Sequence, residues 1–159
     1  MQLRFKKLHD SATIPEYQTS GSAGFDLHAV IDPVIEKSYN IHSEENWPTI
    51  EIYPGKQFVV KTQLSCAIPE GYEMQIRPRS GMAFKHKITV TNSPGTIDSD
   101  YRGEIMIMLY NLGDAPFEIK NGDRIAQGVI SKVPQPEIVE VEELDETDRG
   151  VGGFGSTGA

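Results

Sequence analysis

Gly95-Thr-Ile-Asp-Ser-Asp-Tyr-Arg-Gly-Glu104-Ile-Met-Ile-Met-Leu-Tyr110 is the stretch on which the reading of the chain turns. In its second half Ile105, Ile107 and Leu109 alternate with Met106 and Met108. A ribbon apolar on both faces is the pattern of a central strand, so Glu104 to Tyr110 is expected to lie inside a sheet. The first half packs two carboxylates, a tyrosine and an arginine between two glycines. Period-2 geometry puts Asp98 and Asp100 on one face and Ser99 and Tyr101 on the other, unless the glycines bend the ribbon. Asp, Ser and Gly alone would suit a plain hairpin turn. Tyr and Arg beside two acids mark a site.

Composition agrees with a β reading. The chain has 159 residues, 38% hydrophobic and 24% charged, the range of one soluble globular domain. Ile and Val together number 26 against 7 Leu, a bias toward β-branched side chains that fit pleated surfaces better than helices. The fold class expected is all-β. A formal charge of -8, with no basic run among the 15 Lys and Arg, speaks against nucleic acid as a partner. Cys66 is the only cysteine, so no intrachain disulfide forms. Met1 to Lys7 lacks the apolar core of a signal peptide, and no stretch has the ~20 apolar residues of a membrane span. The expectation is a cytoplasmic protein without a membrane partner.

Outward from the opening stretch, strands are expected at Gln2 to Leu8, Phe25 to Val30, Thr49 to Tyr53, Gln57 to Gln63, Ser65 to Ile68, Tyr72 to Arg77, Lys87 to Thr91 and Ile125 to Val133. Pro69-Glu-Gly71 reads as a turn and Met82 to His86 as one helical turn. Residues 32 to 55 are broken by prolines and asparagines and read mostly as a surface excursion. Asp26 lies between Phe25 and Leu27, so on a strand it faces away from both. Arg77-Pro-Arg-Ser-Gly81 offers a planar guanidinium fork, a small hydroxyl and an unobstructed backbone, a combination that suits a phosphate. Gly122-Asp-Arg-Ile-Ala-Gln127 again sets polar groups beside a core strand.

Beyond Val133 the character changes. Pro134 and Pro136 mark a boundary, and Glu137 to Val141 alternates acid with apolar, a pattern suited to pairing with a neighbouring subunit's sheet or to an ordinary final strand. The end, Arg149-Gly-Val-Gly-Gly-Phe-Gly-Ser-Thr-Gly158, literally contains G-x-G-x-x-G. No helix or second strand can follow it, so the dinucleotide reading fails. A glycine ribbon remains, carrying one cation, one ring and two hydroxyls. The chain has no C-x-x-C, H-E-x-x-H, G-x-S-x-G or P-loop pattern, which removes a protein-held zinc, serine acyl transfer and Walker-type phosphate handling.

In order, Ala23-Gly-Phe-Asp-Leu, Pro78-Arg-Ser-Gly, Gly95 to Glu104, Gly122 to Gln127 and the glycine-rich terminus closely resemble the five motifs of the trimeric dUTPase family, across nearly the whole chain. The resemblance implies a jelly-roll β-barrel subunit over residues 1–133, with the excursion at 32–55, and a C-terminal arm and lid over 134–159. It implies a homotrimer whose active sites are shared between chains. The activity implied is hydrolysis of dUTP to dUMP and pyrophosphate by water attack at the α-phosphorus with Mg2+, which limits dUTP and supplies dUMP for thymidylate synthesis.

Carried over residue by residue, Asp98 would be the general base and Asp100 a structural acid. Tyr101 would lie under the deoxyribose, and Asn92 with the backbone of Thr96, Ile97 and Asp98 would read the uracil edge, with Met106 also among the substrate-contacting residues. Arg79, Ser80, Gly81 and Gln127 would bind phosphates. Asp26 would hold Mg2+ indirectly, through water, since that ion keeps much of its hydration and binds mainly substrate oxygens. Phe154 would stack on uracil, while Arg149, Gly155, Ser156 and Thr157 close over the substrate. Two rivals remain at this stage. A dCTP deaminase of the same fold would release ammonia, and a non-catalytic nucleotide-binding trimeric module would bind dUTP without forming pyrophosphate.

Overall fold

The computed structural model describes residues 1–32, 49–153 and 156. Among these the β-branched bias takes the form of eleven short strands and one helix. They are β1 (Arg4–Lys7), β2 (Phe25–His28), β3 (Thr49–Ile52), β4 (Gln57–Lys61), β5 (Leu64–Ala67), β6 (Tyr72–Arg77), α1 (Ser80–His86), β7 (Ile88–Val90), β8 (Gly95–Ile97), β9 (Met106–Asn111), β10 (Phe117–Lys120) and β11 (Arg124–Lys132). All their pairings are antiparallel.

Four small sheets enclose one core. Their orders are β2-β11-β6-β8, β4-β9-β7, β3-β10 and β1-β5. Backbone bonds stitch them together where strands end: Val30 N–H to Lys61 O at 2.8 Å, Ala29 N–H to Asp123 O at 2.8 Å and Ile105 N–H to Leu64 O at 2.8 Å. Leu27, Ile52, Val60, Ile88, Ile105, Ile107, Leu109, Ile119 and Ile125 fill the interior. At about 25 cal/mol per Å² of apolar surface removed from water, such burial is the main force holding short strands that are individually unstable. Phe25 anchors one end, with the Phe5 and Tyr17 rings edge-on to it at 5.7 and 5.5 Å. Its ring lies against Gly128, where any Cβ would stand 2.5 Å from Phe25 Cε2.

Several expected boundaries differ. The strand expected through Gln63 stops at Lys61, because Gln63 turns into the left-handed region with φ 52°. Phe117–Lys120, not anticipated as a strand, pairs with β3 from Phe117↔Ile52 to Lys120↔Thr49. The central strand is β9, flanked by β4 and β7 as its composition requires. Only one of its faces is buried in the single chain, since Ile107, Leu109 and Asn111 point inward while Met106 is 46% exposed. Glu137 to Val141 forms no strand, and Ile138, Val139 and Val141 are exposed. Most of the 32–55 excursion lies outside the described residues. No helix among the described residues is long and apolar enough to cross a membrane.

Candidate active site

Asp26 is the hub of the first cluster. Phe25 and Leu27 are buried, so strand alternation turns Asp26 to the opposite face, where its side chain is 13% exposed. Register then groups three distant segments, because Asp26 pairs with Gln127 across β2 and β11, and Gln127 with Arg77 across β11 and β6. Asp26 Oδ1 accepts a hydrogen bond from Arg79 Nε at 2.7 Å, and Oδ2 one from Arg124 Nη1 at 3.2 Å. Arg79 Nη1 also donates to Arg124 O at 3.1 Å, and Gln127 Nε2 to Pro78 O at 2.9 Å. Charge-assisted bonds of this kind hold a guanidinium fork in one orientation. Gly24 makes the arrangement possible, since a Cβ there would lie 2.8 Å from Gln127 Oε1. Two guanidinium groups against one carboxylate leave net positive charge, a setting for an anion.

Arg79 is also the N-cap residue of α1, with extended backbone, so Ser80 and Gly81 begin the helix beside the cluster. Both are exposed, and the space where a Gly81 side chain would lie is open. Met82 turns inward and roots the helix in the core. On the same face as Asp26, burial holds the His28 imidazole below its ordinary value of 6.5, against the pull of Asp26 toward the charged form. Arg124 was absent from the residues expected at the site. Its position two residues after Gly122, in the same block as Gln127, was the available signal.

The second cluster is elsewhere. Strand β8 pairs with β6 through Gly95↔Ile76, Thr96↔Gln75 and Ile97↔Met74, and the chain then bends. Tyr101 N–H donates to Asp98 O at 3.2 Å, closing a turn, so Asp98 and Asp100 do not continue a straight period-2 ribbon. Arg102 Nη1 braces the turn by donating to Ser99 O at 2.7 Å and Tyr101 O at 2.8 Å. Asp98 and Asp100 are exposed along an open cleft of about 720 Å³, lined by Glu70, Glu73, Thr96 and Arg102 among others. Asn92 lies between β7 and β8, its amide 3.1 Å from where a Gly95 Cβ would be.

The two clusters stand at opposite ends of β6. Continuing the β8 register puts Asp98 level with Glu73, six residues before Arg79, about 20 Å at the rise of a strand. The structure thus brings Asp26, Arg79 and Gln127 together, with Ser80 and Gly81 adjoining, and keeps Asp98 and Tyr101 apart from them, with Thr96 and Ile97 along β8 and Asn92 at its other end, beside Gly95 and Ile76. Met106 is on β9, in another sheet from β8. Arg149 lies in the exposed arm, its Nε donating to Gly152 O at 2.9 Å, and Ser156 is exposed near it in sequence. Phe154, Gly155 and Thr157 lie outside the described residues.

An oriented pair of guanidinium groups with a separate exposed acid suits hydrolysis of a phosphate-bearing substrate, the acid handling water and the cations the phosphates. Comparison with known proteins gives the particular kind. The family model described as dUTPase matches residues 38–158. The deoxyuridine 5'-triphosphate nucleotidohydrolase of Nautilia profundicola is 54% identical over 158 residues, covering 99% of both chains. A mutant of the Staphylococcus bacteriophage 80alpha dUTPase with dUpNHpp superimposes at a TM-score of 0.81 with 26% identity, covering 99% of both chains. A phage phi11 dUTPase mutant, described as showing how a structural Mg(II) ion is coordinated, shares the fold at a TM-score of 0.74 with 24% identity, covering 92% of this chain and all of that one.

The chain belongs to the dUTPase family, with its jelly-roll β fold, and is an enzyme of the dUTP diphosphatase class. The deaminase and the non-catalytic readings are set aside.

Proposed function

We propose that the chain splits dUTP between its α and β phosphates, giving dUMP and pyrophosphate, in a site that is complete only when a second copy contributes. The observation that carries this is the separation of the two clusters along β6. A general base must reach the reacting phosphorus through a single water, so Asp98 and Arg79 of one chain, about 20 Å apart, cannot serve one phosphate. Two copies side by side can, with Asp98 and Tyr101 from one facing Asp26, Arg79, Ser80, Gly81 and Gln127 from the other. Charge supports the match, since the cleft beside Asp98 carries Glu70, Glu73 and Asp100 and the opposing cluster carries Arg79 and Arg124. The exposed Met106 and the unpaired apolar residues of the arm support it too, each being surface that a single chain leaves in water. Closed symmetry over three copies makes a homotrimer with three such sites.

In this site Asp98 orients the attacking water and takes its proton. Tyr101 lies under the deoxyribose, and a 2′-hydroxyl has no room there. Asn92 and the backbone of Thr96 to Asp98 read the uracil edge, and mispaired buried groups make a wrong base costly. Arg79, Ser80, Gly81 and Gln127 grip the phosphates, and Arg149, Phe154, Gly155, Ser156 and Thr157 fold over the occupied site and exclude water.

Among the described residues no three His, Cys, Asp or Glu side chains gather to hold a metal. The donor set fits Mg2+ carried in on the triphosphate. Asp26 is a single carboxylate oriented by two guanidinium groups, placed to accept hydrogen bonds from the ion's waters. Bound there, the ion supplies charge neutralisation on the phosphate oxygens. A cytoplasmic setting, where dUMP feeds thymidylate synthesis, fits a chain with one buried thiol.

The test is pyrophosphate release from each common nucleoside triphosphate, with and without Mg2+, beside the mass of the particle in solution. Release from dUTP by a trimer is expected. A fully active monomer would overturn the shared site.

A further inference from the structure

Thr62 and Gln63 lie between β4 and β5, outside all five motifs, and Ser65 belongs to β5. Gln63 is 8% exposed and adopts a left-handed backbone with φ 52°, a conformation that side chains other than glycine seldom take. The bend aims this segment at the end of the third motif. Gln63 N–H donates to Glu104 Oε1 at 2.9 Å, Thr62 Oγ1 to Ile105 O at 2.6 Å and Ser65 Oγ to Arg102 O at 2.7 Å. Glu104 is thereby fixed, and its carbonyl accepts the Tyr101 hydroxyl at 3.0 Å. Beneath the ring, Gly103 has no side chain for a steric reason. A Cβ there would stand 2.3 Å from Tyr101 Oη, 2.5 Å from Cζ and 2.9 Å from Cε2. A methyl group there forces the ring to move, and moving it strains the bond that ties its hydroxyl to Glu104, while Arg102 braces the turn before it.

We infer that Gly103 and the Gln63–Glu104 contact are positioning residues that set the height and tilt of the Tyr101 ring, and through it the discrimination between deoxyribose and ribose. This rests on the reading that Tyr101 lies under the sugar. A ring lifted by a methyl group beneath it, or released at its hydroxyl, fits the deoxyribose less well. The rate with dUTP then falls more than the already poor rate with UTP, and the gap between the two substrates narrows.

The experiment measures kcat and KM for dUTP and UTP in the full chain, its Gly103→Ala, Tyr101→Ala and double variants, and Glu104→Ala beside Glu104→Gln. Gly103→Ala is expected to narrow the dUTP-over-UTP ratio of kcat/KM by about tenfold, the scale on which a single misplaced methyl group acts in a fitted pocket. The double variant should match Tyr101→Ala, since without the ring the added methyl displaces nothing. Glu104→Ala should narrow the ratio as well, and Glu104→Gln should restore it, because the amide oxygen still accepts from Gln63 N–H.

If Tyr101→Ala loses discrimination while Gly103→Ala and Glu104→Ala keep it, the positioning role is overturned and the sugar-side reading stands. A Gly103→Ala effect of equal size with and without the ring likewise overturns it, as a general loss of fold would. If Tyr101→Ala keeps full discrimination, the reading itself falls and takes the inference with it. Should Gly103→Ala not fold, the Glu104 pair decides alone.

Discussion

Two inactive variants of this chain should restore each other. In the proposed site Asp98→Asn would remove the proton acceptor and Arg79→Ala the phosphate ligand, and each alone is expected to lower turnover about a hundredfold or more. On that reading their positions at opposite ends of β6 put each lesion in a different half of every shared site. When equal amounts are unfolded together and refolded as mixed trimers, a site is intact if its Asp98 half comes from an Arg79→Ala copy and its Arg79 half from an Asp98→Asn copy. With random assembly and cyclic symmetry that holds for about a quarter of sites, so about a quarter of the unmutated activity should return. The lid residues are intact in both variants, so a third chain's contribution leaves the fraction unchanged. The assay is pyrophosphate release per active-site concentration, with native mass spectrometry confirming mixed particles. Mixed trimers no more active than the sum of their parents would mean that both groups act from one chain, and the argument from β6 would be refuted.

Asp98→Asn by itself should keep nucleotide affinity, measured calorimetrically with a non-hydrolysable analogue, while single-turnover hydrolysis falls by about 10²–10⁴; equal losses in both would make Asp98 a binding group. Removing residues 149–159 should leave a folded trimer that has lost most hydrolysis, and full activity would contradict the lid. Asn111 is buried, its amide donating to Ile52 O at 2.7 Å and Ala115 O at 2.9 Å and accepting from Gly113 N–H at 2.8 Å. Asn111→Leu therefore strands three backbone groups and should cost about 3 kcal/mol or more, read as a fall in thermal midpoint. Burial pushes the Cys66 thiol above its ordinary value of 9.0, against a smaller opposing pull from Arg102. The folded chain holds that proton more tightly than the unfolded one, so stability should decline as pH rises past about 9, and Cys66→Ala should flatten that decline.

Much of the barrel was legible because its signals are local. Tyr72 to Arg77 has the expected bounds, the Pro69-Glu-Gly71 turn places Gly71 at φ 80°, and Phe25-Asp-Leu-His alternates buried and half-buried. Phe117-Glu-Ile-Lys120 alternates equally well but has only four residues, between Pro116 and Asn121, and its partner β3 is more than sixty residues earlier. A run that short carries too little period to be told from a loop. The Gln63 bend was illegible for the opposite reason, since a glutamine gives no sign of a left-handed backbone.

The site divides along the same line. The motifs were recognisable as a set of five in order rather than singly, yet which of them meet is a matter of strand register, which local sequence does not encode. Period-2 alternation predicts that Asp26 faces away from Phe25, but only the β2-β11-β6 register sets it beside Gln127 and within reach of Arg79 and Arg124. The β8-β6 register that separates Asp98 from this group is equally non-local. The proposed sharing of the site between copies would also account for features that look like faults in a single chain: an apolar strand with Met106 in water, an acid-and-apolar arm that forms no strand, and a cleft in which Glu70, Glu73, Asp98 and Asp100 outnumber Arg102. On the proposed reading, burying all three against further copies would remove each exposed liability and bring water, phosphate and base into one place, so that the physics assembling the particle would be the physics assembling its site.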